Sequence, residues 1–227
     1  MTRAAVAKRG RPRPARPRAV AGHDLATKER LLQQATRLFA ERGFQHVTVR
    51  DICGAASANV AAVNYHFGGK PGLYEEVLRA AIREMHVTTV EIEQAGAGEK
   101  PERQLTHFVR IFLQRAMERR NGWIHQLMMH ETQNPTPALD LIVEAVIRPR
   151  LAYLADVVAR MTRLPADDPR VMLSVASVQG QCLMLMRDHP IGSKLGYTSL
   201  KLEDVPDVAR HVAAFSIAGI RALAAAQ

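Results

Sequence analysis

Cysteine is nearly missing from this sequence: Cys53 and Cys182 are the only two, and they stand far apart. That excludes a disulfide scaffold and a cysteine metal cluster and suits a reducing cytoplasm, with a single Cys53–Cys182 bridge as the remaining alternative. Aromatic residues are scarce too, 5% against 47% apolar residues overall. A core must therefore be built largely from Ala, Leu and Val, the composition of a soluble helical protein. No apolar run approaches the roughly 18 uninterrupted residues that read as a membrane span, so no membrane partner is expected. The start is basic but lacks an apolar stretch behind it, which argues against a secretory signal.

Catalytic constellations are absent as well. His130-Glu131-Thr132-Gln133-Asn134 begins like a metalloprotease helix, but the second His four positions on is not there. His125 and His130 are five apart and fall on diverging helix faces. Neither a Gly-rich phosphate loop nor a Gly-x-Ser-x-Gly elbow occurs. The sequence thus predicts no enzyme, no metal site and no cofactor.

Acidic residues are missing from the first 20 positions, where Arg3, Lys8, Arg9, Arg11, Arg13, Arg16 and Arg18 stand together. Those seven of the 31 basic residues leave 24 bases against 22 acids elsewhere, so the net charge of +9 belongs mostly to this arm. With Pro12, Pro14 and Pro17 among them and no apolar periodicity, residues 1–23 are expected to form a disordered basic arm. Arg9-Gly10-Arg11-Pro12-Arg13 matches the core of an AT-hook, in which extended Arg-Gly-Arg lies in the narrow minor groove of A·T-rich DNA. A solvated charge run touching phosphates without preference is the alternative, and either makes binding salt-sensitive.

What is present is centred on His46 to Lys70. Thr48 followed by Asp51 forms a capping-box pattern for one short helix, and Asn59 is a cap for a second, Val60 to His66. Ala55-Ala56-Ser57-Ala58 between them lets two helices cross closely, as a helix-turn-helix requires. A helix from about Thr27 to Arg42 precedes them, with Leu31, Ala35, Leu38 and Phe39 at helical spacing and Gly43 at its end. Val47, Ile52, Ala56, Val63 and Phe67 are expected to complete a small core.

Arg42-Gly43-Phe44, Thr48-Val49-Arg50-Asp51-Ile52, Asn64-Tyr65-His66-Phe67 and Lys70 resemble the amino-terminal DNA-binding domain of the TetR family of bacterial regulators, over about Thr27 to Leu78. Asn59 departs from the family's usual Ser or Thr cap, Asn64 from Tyr and Cys53 from Ala. The resemblance implies that Val60, Ala61 and Ala62 meet base edges, with Asn64 and Tyr65 beside them; Asn can pair bidentately with adenine, and Val or Ala can touch a thymine methyl. Thr48, Arg50, Tyr65, His66 and Lys70 are expected to contact phosphates, with packing as the alternative for His66.

The implied architecture is all-α: a three-helix DNA-binding domain over 24–70, then a helical effector-binding and dimerisation domain over 71–227. Lys70 to about Gln94 reads as the connecting helix, broken at Ala95-Gly96-Ala97-Gly98, and helices follow over about 102–119, 122–131 and 138–162. Pro149 is expected to kink or split the last of these. Phe108, Phe112, Trp123, Gln126, Met129 and His130 are candidates for lining an effector cavity, and each of the apolar ones also suits plain core. Trp123 to Glu131 with Asn134-Pro135-Thr136-Pro137 is similar to the family's CecR-type subgroup.

Two further helices bracket a long connection, 188–203. Val171, Val175, Val178, Cys182 and Leu185 repeat at helical spacing beside a second stripe of Met172, Ala176, Gln179, Leu183 and Met186. With Val208, Val212 and Phe215 of the final helix, the first stripe is assigned to a four-helix dimer interface. The expected function is a dimeric regulator, a repressor released from a palindromic operator by a small molecule. The alternatives are an architectural DNA-binding protein without effector and an effector-responsive activator.

Overall fold

The computed structural model describes residues 18–118, 121–186, 194 and 201–225, with side chains from residue 24 onward. Arg9, Arg11 and Arg13 lie outside the described residues, as does most of the 188–203 connection. No strand occurs among the described residues.

The first helix, α1 (Arg18–Arg42), starts nearer the amino terminus than expected and takes up the end of the span assigned to the arm. No proline interrupts the stretch from Arg18 to Arg42, and Ala19, Ala21 and Ala26 favour helix. Gly43 ends α1 at φ +75°, its N–H donating to Phe39 O at 2.9 Å, and Phe44 folds back to place its ring 6.1 Å from that of Phe39. In α2 (Val49–Ala56) both halves of the capping box form: Asp51 N donates to Thr48 Oγ1 at 3.2 Å, and Thr48 N donates to Asp51 Oδ2 at 2.8 Å. Ser57 then takes a left-handed conformation, φ 48°, so the tight turn is made by a serine where glycine would be usual. Asn59 caps α3 (Val60–Phe67) by accepting from Ala61 N at 2.9 Å.

The connecting helix α4 (Lys70–Gly96) has Pro71 in its first turn and ends at the predicted glycine-bearing break. It is followed by α5 (Pro101–Met117), α6 (Gly122–Gln133) and α7 (Leu139–Ile142). The predicted effect of Pro149 is local. A π-helical turn over Val143–Ile147 precedes α8 (Arg148–Thr162), Arg148 N–H reaches back to Val143 O, and the proline sits in the first turn of α8 where its missing N–H is not needed. The chain closes with α9 (Pro169–Leu185), a short 3₁₀ turn at Leu202–Asp204 and α10 (Val205–Ala225).

Two hydrophobic cores form. One lies among α4, α5, α8, α9 and α10, with α5 at its centre, built from Leu105, Phe108, Val109, Phe112, Leu154 and Val158 among others. The second holds Leu31, Leu38, Phe39, Val47, Ile52 and Val63 against Leu73, Tyr74, Val77 and Leu78 of α4, and Ile124, Leu127 and Ile142 join it from beyond α4. The boundary drawn at residue 70 therefore cuts through one continuous core. One long helix and two of only eight residues offer too little apolar surface to close a core alone, so α4 and α6 supply the rest.

The stripe assigned to the dimer interface is corrected. Val171, Val175, Val178 and Cys182 are at most 2% exposed in the protomer's own core, Val212 is buried there, and Leu185 and Val208 pack against it. Burial also pushes the Cys182 thiol up to about 12, the behaviour of an inert core cysteine. The neighbouring residues are the ones left outside: Met172, Leu173, Leu183 and Met184 on α9 are 43–68% exposed, and Phe215 on α10 is 66% exposed. Of the residues assigned to the interface, Phe215 alone is on this exposed face. The segment Leu202–Ala225 is long and apolar enough to cross a bilayer, with mean hydropathy 1.3, yet α10 packs along α5 and carries Asp207, Arg210 and Arg221. Its apolarity follows from covering a core on one side and exposing small and aromatic residues on the other.

Candidate nucleic-acid interface

The surface of α3 is set by its helical period. Asn59, Val60, Ala61, Asn64 and Tyr65 point outward, Val60 at 42% and Tyr65 at 64% exposure, while Val63 is fully buried. Ala62, expected at base edges, packs against the core instead, because it shares the inner side with Val63. Thr48 and Arg50 are exposed at the start of α2, where the Thr48 hydroxyl and N–H hold the Asp51 carboxyl below the usual carboxylate range.

Helix α1 holds both members of the motif. Arg30 Nε donates to Ala56 O at 3.3 Å, tying down the end of α2, and Lys28 Nζ lies 5.8 Å from the Phe67 ring centroid. His66 Nε2 lies 3.3 Å from Asp24 Oδ1, and the His66 side chain is only 9% exposed. Its expected phosphate contact is thereby corrected to a packing role that fixes the end of α3 to α1. Lys70 Nζ sits 4.2 Å from the Phe44 ring centroid, and partial burial lowers its pKa. It caps the aromatic cluster of Phe39, Phe44 and Tyr74, whose rings lie 4.7–6.1 Å apart.

The residues assigned to an effector cavity do not converge. Phe108 and Phe112 stack at 6.0 Å inside the α5-centred core, Trp123 packs against the other core, and Gln126 is exposed. His130 closes on Gly43, where a Cβ would stand 2.9 Å from Nδ1, and Met129 is half-buried beside it. The physical reason is the direction of α6, which turns Ile124 and Leu127 onto α1 and so makes this stretch a joint between the two cores. The cleft there, lined by Gly43, Phe44, Gln45, His46, His130, Glu131 and Asn134, has room for little more than water.

At that joint lies a group the sequence reading missed. Glu131 is 1% exposed and accepts from the Tyr74 hydroxyl, from Thr136 N at 3.1 Å and from Thr136 Oγ1. Burial first, and the Glu131 contact second, push the Tyr74 phenol far up, so it remains a donor at any physiological pH. An acid one helical turn beyond Leu127, on the same face as the apolar Ile124 and Leu127, was the available signal; its partner Tyr74, 57 residues away in sequence, was invisible.

A family model described as bacterial regulatory proteins, tetR family, matches residues 31–77, and one for the C-terminal domain of the HTH-type transcriptional dual regulator CecR matches residues 101–220, more than half of the chain. The chain belongs to the TetR family. The CecR regulator of Shigella flexneri is 27% identical over 168 residues, covering 69% of this chain and 74% of that protein. The TcmR regulator of Streptomyces glaucescens is 28% identical over 167 residues, with 68% and 70% covered. In fold, the chain superposes on the ketosteroid transcriptional regulator KstR2 of Mycobacterium tuberculosis with a TM-score of 0.63 at 21% identity, covering 85% of this chain and 93% of that one. PfmR from Thermus thermophilus, another TetR-family regulator, gives 0.63 at 20% identity, with 84% and 95% covered. As a TetR-family member the chain is a DNA-binding transcriptional regulator, and its relatives and fold are those of regulators, not enzymes.

Proposed function

We propose that this chain is a dimeric, cytoplasmic repressor that leaves a palindromic operator when a small molecule occupies its α5-centred domain. The observation that carries the reading is the outer face of α3: Asn59, Val60, Ala61, Asn64 and Tyr65 are presented together on a helix that α1 holds at His66, while α1 also ties down the end of α2 at Ala56. Asn64 offers a bidentate pair to adenine, Val60 and Ala61 suit thymine methyls, and Thr48, Arg50 and Tyr65 flank them toward the phosphates. A second copy docked on the exposed Met172, Leu173, Leu183, Met184 and Phe215 face would set two α3 helices for successive major grooves. On this reading residues 1–17 add a basic arm, residues 18–70 carry the reading head and the remainder carries effector and dimer surfaces. The buried Tyr74–Glu131 contact supports a coupled joint, since α6 cannot shift without moving the core under α3.

Binding of the purified protein to DNA from around its own gene, against scrambled DNA of equal composition and across a salt series, tests the reading. A preference of about 10³-fold or more that falls steeply when one half-site is scrambled is the expected result. Equal affinity for both DNAs would sink it and mark an architectural role.

A further inference from the structure

Arg150 stands apart from the other arginines. Several on the surface pair with carboxylates, Arg37 with Glu41, Arg79 with Glu75 and Arg148 with Glu144, and these remain in contact with water. Arg150, in the first turn of α8, is 7% exposed, and no carboxylate of a described residue pairs with it. Its Nε donates to Thr89 Oγ1 at 3.2 Å and its Nη2 to Met85 O at 2.8 Å, both neutral acceptors on α4. Its Cζ lies 5.5 Å from the Phe112 ring centroid, and Phe112 stacks on Phe108. Burial lowers its pKa to about 10, so it is still charged at neutral pH. A guanidinium offers five N–H donors in a planar fork, and neutral oxygens offset only part of the solvation it loses in such a place. The group that matches this fork is a carboxylate or phosphate.

A second observation lies beside it. The π-helical turn Val143–Ile147 ends just before α8, so the regular backbone is interrupted next to the buried cation, a placement common at binding sites.

We propose that Arg150 anchors the anionic group of an apolar effector. The carboxylate or phosphate takes the guanidinium, the apolar part lies along the Phe108–Phe112 pair, and Arg150 gives up its bonds to Met85 and Thr89. This rests on the ligand-responsive reading above and deepens it: the two acceptors lost are on α4, the helix whose other end supports α3, so occupancy uncouples α8 from the reading head.

The full chain is titrated calorimetrically, below micellar concentrations, with decanoate, decyl phosphate and neutral decanol. Both anions, or one of them, are expected to bind about tenfold or more tighter than decanol, and the ratio of the two anions says which headgroup is preferred. Arg150→Met removes the advantage and Arg150→Lys keeps part of it, with helical circular dichroism confirming folding. Thr89→Val, which removes a competing acceptor, tightens the anion. Decanol matching both anions, or an anion advantage that persists in folded Arg150→Met, overturns the proposal. If Arg150→Met does not fold, Thr89→Val decides, and unchanged anion affinity overturns it. Operator binding is followed separately: an anion held by Arg150 that leaves the operator complex intact keeps this site and sinks the ligand-responsive repressor, whereas loss of the anion advantage with operator binding intact sinks this site alone.

Discussion

Thr48 closes the start of α2 through three hydrogen bonds shared with Asp51. Thr48→Ala is expected to lower stability by about 1 kcal/mol, measured by denaturant unfolding, because an N-terminal amide of α2 loses its acceptor. Asp168 does a related job for α9. It accepts from the Arg170 side chain and from Arg170 N at 2.9 Å, and these contacts lower its carboxyl to about 2 from 3.8. A pKa depressed on folding stabilises the protein above the unfolded value, and that contribution fades as pH falls through the folded one. The stability difference between the protein and its Asp168→Asn variant should therefore be constant above pH 5 and shrink between about pH 4 and pH 2; a difference that persists at pH 2 would refute the assignment. Tyr74→Phe leaves the buried Glu131 carboxyl one donor short, and thermal unfolding should reveal a loss of about 1–3 kcal/mol.

At the level of elements, the junction between α3 and α4 leaves no room for a side chain at Gly72. A Cβ on Gly72 would run into the Phe67 carbonyl oxygen, and backbone cannot swing aside as a side chain does. Gly72→Ala should therefore destabilise by at least about 1–3 kcal/mol and loosen α3, seen as a lower melting temperature and weaker operator binding together. Tyr65→Ala is the contrasting case. Tyr65 is exposed on α3, so its loss should weaken operator binding by about tenfold with little change in melting temperature. Caps and breaks of these elements were legible because they depend on neighbours in sequence: Thr48, Asn59, Gly43 and the Gly96–Gly98 break all act within a few residues of themselves. The roles of His66, Ala62 and Glu131 were not, because Asp24, the inner side shared with Val63 and Tyr74 reach them only through the packing of α1 and α4.

Across the protein as a whole, one stripe of α9 is buried and the other exposed, and on the proposed dimer reading they separate stability from assembly. Val175→Ala removes about two methylene equivalents from a closed core and should cost about 2 kcal/mol without a direct effect on the interface. Phe215→Glu adds a charge to an exposed apolar face, and sedimentation should show a shift toward monomer, with operator affinity falling as the second α3 is lost. A Phe215→Glu protein that remains dimeric would move the interface elsewhere.

From the order of residues alone it follows that the chain is helical, where most helices begin and stop, that Thr48 to Lys70 is a helix-turn-helix, and that α9 carries two apolar stripes. These are consequences of periodicity, caps and turns, whose physics is local. Packing had to settle which stripe of α9 lies inside, that α6 completes the core beneath α3, and that Arg150 is buried against α4 with no carboxylate of a described residue beside it. Two stripes of similar apolarity are equivalent until the neighbouring helices choose between them, and a charged side chain reveals its burial only once α4, α5 and α8 have closed around it.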